Sequence, residues 1–82
     1  MPPRIRSLTA RQVLGALRSF GFEVASVRGS HAKLRRSTPA GETQVLTVPL
    51  HRVLSRGTVH AIFRQACRFV PEDELRTHFF TE

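Results

Sequence analysis

The residues best suited to chemistry stand together in Arg28-Gly29-Ser30-His31, where a guanidinium, a flexible glycine, a hydroxyl and an imidazole follow one another. Histidine is the side chain whose proton exchange ordinarily spans neutral pH, so an exposed imidazole can serve as a general base or acid. His31, Lys33 and Arg35 then recur at every second position, which on a strand puts an imidazole, an ammonium and a guanidinium on one face. A row of that kind suits a phosphate backbone. Glycine-serine is equally an ordinary hairpin turn, and a polar row is the usual solvent side of an antiparallel sheet, so these residues alone leave both readings open. Ser30 does not read as a nucleophile, because hydroxyl activation needs a base aimed at it and adjacent strand side chains point to opposite faces. Its place is in the turn.

The segments around this turn must position it. Phe22 to Arg28 is rich in β-formers and reads as a strand, with Phe22 and Val24 on one face and Ala25 and Val27 on the other. His31 to Arg36 reads as the next, with Ala32 and Leu34 opposite the basic row. Ser37 to Glu42, containing Pro39 and Gly41, is a loop. Thr43 to Val48 forms a third strand, stopped by Pro49, which has no N–H for a ladder. Upstream, Thr9 and Gln12 have the spacing of a capping box, and Leu8 can staple against Val13. Val13, Leu14, Leu17 and Phe20 then form one helical stripe, ended by Gly21 in a left-handed conformation. Downstream, Gly57-Thr58 opens a second helix with Val59, Ile62, Phe63 and Ala66 facing inward, and its free N–H groups offer a phosphate seat. Pro71 suits the first position of a short final helix, with Glu72, Asp73 and Glu74 at its positive end and Leu75 and Phe79 inward. The expected class is α+β in the order α-β-β-β-α: a three-stranded antiparallel sheet covered on one face by two helices, plus a short C-terminal helix.

Eighty-two residues support one core, and the whole of 1–82 reads as a single domain. Residues 1–7 carry no periodicity and are expected as a flexible basic arm, with 70–82 as the short acidic helix. The net charge is +7, unevenly spread: twelve Lys/Arg face two Asp/Glu through residue 68, and one faces four thereafter. Such a field attracts polyanions, so nucleic acid is the first partner to consider and an acidic protein the second. No apolar run approaches the roughly 20 residues that cross a bilayer, and Met1-Pro2-Pro3-Arg4 opens no signal-peptide pattern. The single Cys67 makes no internal disulfide and reads as core filler, so a cytoplasmic location without membrane attachment is expected. His31 and His51 have no nearby Asp or Glu, and neither a metal nor a cofactor is expected. His60 and His78 read as helix-surface residues.

Gly21-Phe22, Gly29-Ser30-His31, Val48-Pro49-Leu50-His51, and Gly57-Thr58 followed by Ile62 and Gln65-Ala66 form an ordered set. In order and spacing that set resembles the HicA family of toxins, over roughly residues 8 to 70. The chain departs from the family's pattern at Ser26, where an arginine often stands, and at Ala32, where a second histidine often follows the motif. The resemblance implies a fold similar to double-stranded-RNA-binding domains. It also implies an mRNA interferase, the toxin of a type II toxin-antitoxin system, that inhibits translation and growth. Its substrate would be single-stranded mRNA, its inhibitor a HicB-like antitoxin, and its only oligomer the toxin-antitoxin complex. By the same resemblance His31 is the catalytic residue. The chemistry agrees, since an imidazole that takes the proton of an RNA 2′-hydroxyl lets that oxygen attack the adjacent phosphate with no metal. Arg28, Lys33 and Arg35 could hold charge on that phosphate, and the N–H groups of Gly29 and Ser30 could add donors. For the general acid, His51, a lysine and water all remain open. Two alternatives stand beside this: a non-catalytic basic RNA-binding module, and an inactive family member that only binds a HicB-like antitoxin.

Overall fold

The computed structural model describes residues 2–81, and Met1 and Glu82 lie outside the described part of the expected arm and acidic helix. Helix α1 spans Ala10–Arg18. Its start is set by the capping box that the sequence predicts: Gln12 N–H donates to Thr9 Oγ1 at 3.1 Å, and Thr9 N–H donates to Gln12 Oε1 at 2.9 Å. Its end is set by Gly21, whose φ of +92° suits a residue without a Cβ. Gly21 N–H bonds Arg18 O at 2.9 Å and Phe22 N–H bonds Leu17 O at 3.2 Å, the paired bonds of a Schellman stop. The stop reverses the chain and buries Phe22 in the core.

Strands β2 (Glu23–Arg28), β3 (His31–Ser37) and β4 (Thr43–Pro49) follow, forming an antiparallel sheet in the order β2-β3-β4. Pro49 is the last residue of β4, paired with His31, instead of the stop beyond it. β4 is an edge strand, and a proline is tolerated where its absent N–H would face away from the ladder. Helix α2 spans Arg56–Ala66, one residue ahead of the expected Gly57-Thr58, because Ser55 caps it. Thr58 N–H donates to Ser55 Oγ at 3.1 Å, so one N–H of the anticipated phosphate seat is already taken. Helix α3 covers Glu72–Phe79, with Pro71 just before its first turn and Glu72, Asp73 and Glu74 inside that turn.

The basic arm is held, where the sequence predicts it to be free. Arg4–Ile5 is strand β1, paired antiparallel with β5 (Phe80–Thr81). Arg6 N–H extends the clasp to Phe79 O at 2.8 Å. The reason is local: Phe79 is fully buried, which fixes the chain after α3 and leaves it an open backbone edge for the arm to satisfy.

Ala32 and Leu34 of β3 and Leu46 and Val48 of β4 turn to one side of the sheet. They share a core with Val13 and Leu17 of α1 and Val59, Ile62, Phe63 and Ala66 of α2. Leu75 and Phe79 of α3 seal the end of that core, and no polar or charged side chain of the described residues is buried in it. The two helices thus cover one face of β3 and β4 and leave the other to solvent, while β2 is exposed along its whole length. Among the described residues no helix is long and apolar enough to cross a membrane.

Candidate nucleic-acid interface

Strand β3 alternates as its sequence predicts: Ala32 and Leu34 are buried, and His31, Lys33 and Arg35 are exposed on the opposite, uncovered face. The turn before it has a positive φ, 58°, only at Gly29, the pattern of a two-residue type II′ hairpin whose first position needs glycine. Leu50 N–H donates to Ser30 O at 2.6 Å, tying the turn to the chain leaving β4.

Which neighbours join the basic row depends on register. Val24 pairs with Leu34 but Ser26 pairs with Lys33, so Ala25 is an extra residue, a bulge. Directly paired residues share a face. The bulge therefore puts Val24 and Val27 together on the helix side and turns Ser26 and Arg28 to the free face, correcting the strict alternation expected for this segment. Three ranks then cross the sheet: Arg28, His31 and Pro49; Ser26, Lys33 and Thr47; Glu23, Arg35 and Val45. Members of a rank stand about 5 Å apart at Cβ.

Ser26, Arg28, His31, Lys33 and Thr47 line one concavity of about 430 Å³, together with Val27 and Ala32. The structure thus brings together three of the residues singled out in the sequence, His31, Arg28 and Lys33. Gly29 and Ser30 form the turn at one end of this concavity but do not line it, and Arg35 lies one rank beyond. His51 is exposed at the same end of the sheet, outside the concavity. None of Arg28, Lys33 and Arg35 has an ion-pair partner among the described residues, where the one salt bridge joins Arg76 to Glu72 at 3.7 Å. The charges of Arg28 and Lys33 are free for a ligand, whereas Arg35 stands across from Glu23. No group of three His, Cys, Asp or Glu side chains gathers among the described residues.

Thr47 and Ser26 escaped the sequence reading as site residues. Thr47 could have been found, since Leu46 and Val48 must face the core and Thr47 between them must face out. Ser26 could not, because its face depends on the bulge. Arg36 was also missed. It points to the helix side, where its Nε donates to Gln44 Oε1 at 2.8 Å and its two terminal nitrogens donate to Phe20 O at 2.9 Å and Phe69 O at 3.1 Å. Its guanidinium carbon lies 4.9 Å from the centre of the Phe22 ring. This arginine joins four segments and contributes nothing to the free face. Of the remaining candidates, Cys67 is half-buried against the core, and burial, with a smaller contribution from Glu72, pushes its thiol up despite the opposing Arg76. That is the environment of packing, not of a nucleophile. His60 is exposed, while His78 is half-buried, edge-on to Phe20 with ring centres 5.3 Å apart.

Together these features define a small basic α+β domain that presents an uncovered cationic sheet face with a histidine at one end of it. Residues 10–66 match the family described as HicA toxin of bacterial toxin-antitoxin. The chain belongs to the HicA toxin family, and membership implies an antitoxin partner. No curated protein and no solved structure matches the chain. The matched span contains the turn, the three-stranded sheet and α2, whereas α3 and the β1–β5 clasp lie outside it.

Proposed function

We propose that the protein is an mRNA interferase, a toxin that cleaves single-stranded RNA on the free face of the sheet with His31 as general base. His31 takes the proton from a ribose 2′-hydroxyl, and the oxygen attacks the adjacent phosphorus. The P–O5′ bond breaks as the new O2′–P bond forms, leaving a 2′,3′-cyclic phosphate on one product and a 5′-hydroxyl on the other. Water, which reaches this open face throughout, returns a proton to the leaving oxygen. Arg28 stands directly across from His31, where its guanidinium can hold the phosphate as charge develops, with Lys33 extending the positive row and Arg35, faced by Glu23, one rank beyond. No step requires a metal or cofactor. The observation that carries the reading is the gathering of His31 with unpaired cations and no carboxylate around one concavity.

Neutralisation follows the same charge. A HicB-like antitoxin that covers the cationic face would exclude RNA, and the resulting complex is the oligomer we expect in the cytoplasm. Expression of the chain alone from an inducible promoter should halt growth, and co-expression of the adjacent reading frame should restore it. A strain that grows normally with wild-type protein accumulating would contradict the toxin reading.

One feature favours a second reading: the His31 ring makes no hydrogen bond to another described residue, so no hydrogen bond among them orients it. A basic module that binds RNA without cutting it would look the same. Incubation with labelled RNA in EDTA separates the two, since only the interferase shortens the strand.

A further inference from the structure

Beyond the rank that holds His31, the sheet carries a second group with the composition of an anion site. Lys33 stands in the central strand with Ser26 paired to it on one side and Thr47 on the other, all three exposed and lining the same concavity as His31. One ammonium between two hydroxyls supplies charge together with two further donors. The rank contains no carboxylate, and Lys33 makes no hydrogen bond or ion pair among the described residues. Successive ranks are two residues apart along the strand, about 6.6 Å, a step that one ribose-phosphate repeat can span.

Resting on the interferase reading above, we infer that Ser26, Lys33 and Thr47 form a second phosphate subsite, which holds the phosphate next to the one being cut. The row ends there. In the third rank Arg35 is paired with Glu23, whose opposite charge offsets it, and with the apolar Val45. The bases have little to hold them: of the six phenylalanines, three are buried and three are half-buried against the core, so none forms a stacking platform on this face. Recognition on the sheet therefore runs through the phosphates, and Lys33 is a positioning residue that sets which bond meets His31.

The test pairs a change in the strand with a change in the protein. The probe is a short labelled oligonucleotide with a single ribose, which fixes the cut, and a neutral methylphosphonate placed on either side of it in turn. For wild type, neutralising one particular neighbour should lower kcat/KM by at least about tenfold, mainly through KM, because a charge-assisted contact is lost. With Lys33→Ala the same methylphosphonate should change kcat/KM by no more than about twofold, since the two groups are coupled. Ser26→Ala and Thr47→Val should give smaller losses of the same kind, with melting temperatures unchanged at these exposed positions. If both methylphosphonates are harmless to wild type, or if Lys33→Ala and the methylphosphonate act independently, the subsite is wrong. If wild type cuts none of the strands, the interferase reading fails, and the subsite is judged from the affinities of the same uncut strands. A methylphosphonate that weakens wild type but not Lys33→Ala supports it, and equal weakening of both overturns it.

Discussion

The guanidinium of Arg36 donates to three acceptors on three segments, the C-terminal end of α1, strand β4 and the connection from α2 to α3, and stacks on Phe22. Removing it leaves half-buried carbonyls at two helix ends without their donor. Arg36→Ala should therefore cost about 2–3 kcal/mol, a fall in Tm of roughly 10 °C or more for a domain of this size, and Arg36→Lys should recover only part because an ammonium lacks the planar fork. Arg35→Ala, one position away and exposed, should stay within about 0.5 kcal/mol of wild type. Urea titration of the three variants checks the contrast. Neighbouring arginines thus have opposite roles, and only half of that is legible in the sequence. The period of two separates Arg35 from Arg36 by face, but the acceptors Phe20 O and Phe69 O are 16 and 33 residues away and no local pattern announces them.

Strand β4 is an open edge of the sheet, and its outward backbone groups need partners or protection. Pro49 has no N–H to offer, and Thr47 is occupied by Gln65 of α2. The side-chain Oε1 accepts from Thr47 N–H at 3.2 Å, while Nε2 approaches Thr47 O at 3.5 Å. The amide of Gln65 stands in for a neighbouring peptide. Gln65→Ala should destabilise the fold by about 1 kcal/mol and promote self-association through the freed edge, measured by light scattering across a concentration series. An unchanged monomer at high concentration would show that the edge needs no guard. At this scale the helices and strands were legible because the stripe of α1, the alternation of β3 and the capping box are all local. The bulge at Ala25 was not, since Glu23 to Arg28 carries no glycine or proline to mark it, and it was the bulge that decided the faces of Ser26 and Arg28.

Across the whole molecule the helix side is built from both ends of the chain. Leu75 and Phe79 are fully buried, Phe79 and Phe80 lie with ring centres 5.7 and 5.0 Å from that of Phe63, and β1 clasps β5, all outside the span that matches the family. Phe79→Ala should cost about 3–5 kcal/mol, a large share of the roughly 5–15 kcal/mol that holds a domain together. Thermal melting should then show a substantially unfolded population at 37 °C, although position 79 is on the opposite side of the sheet from His31. A clasp of two-residue strands has too few positions to show a period, which is why the arm reads as free in the sequence. The net charge, by contrast, was legible from composition alone, but where it lies was not: of the thirteen Lys/Arg, Arg28, Lys33 and Arg35 stand on the face that the helices do not cover. RNA affinity should accordingly fall as salt rises, with a log–log slope of about −0.7 for each phosphate held. Lys33→Ala should make that slope shallower by about one such step.

All of this converges on one ring at the end of the sheet, and the most direct measurement is cleavage of a labelled single-stranded RNA by wild-type protein and by His31→Ala, in EDTA, with affinity for the uncut strand measured alongside. Wild type should yield fragments ending in a cyclic phosphate. His31→Ala should yield almost none, a loss of at least about a hundredfold, while melting at the same temperature and binding RNA within a few-fold of wild type. Equal cleavage by the two proteins would contradict the account.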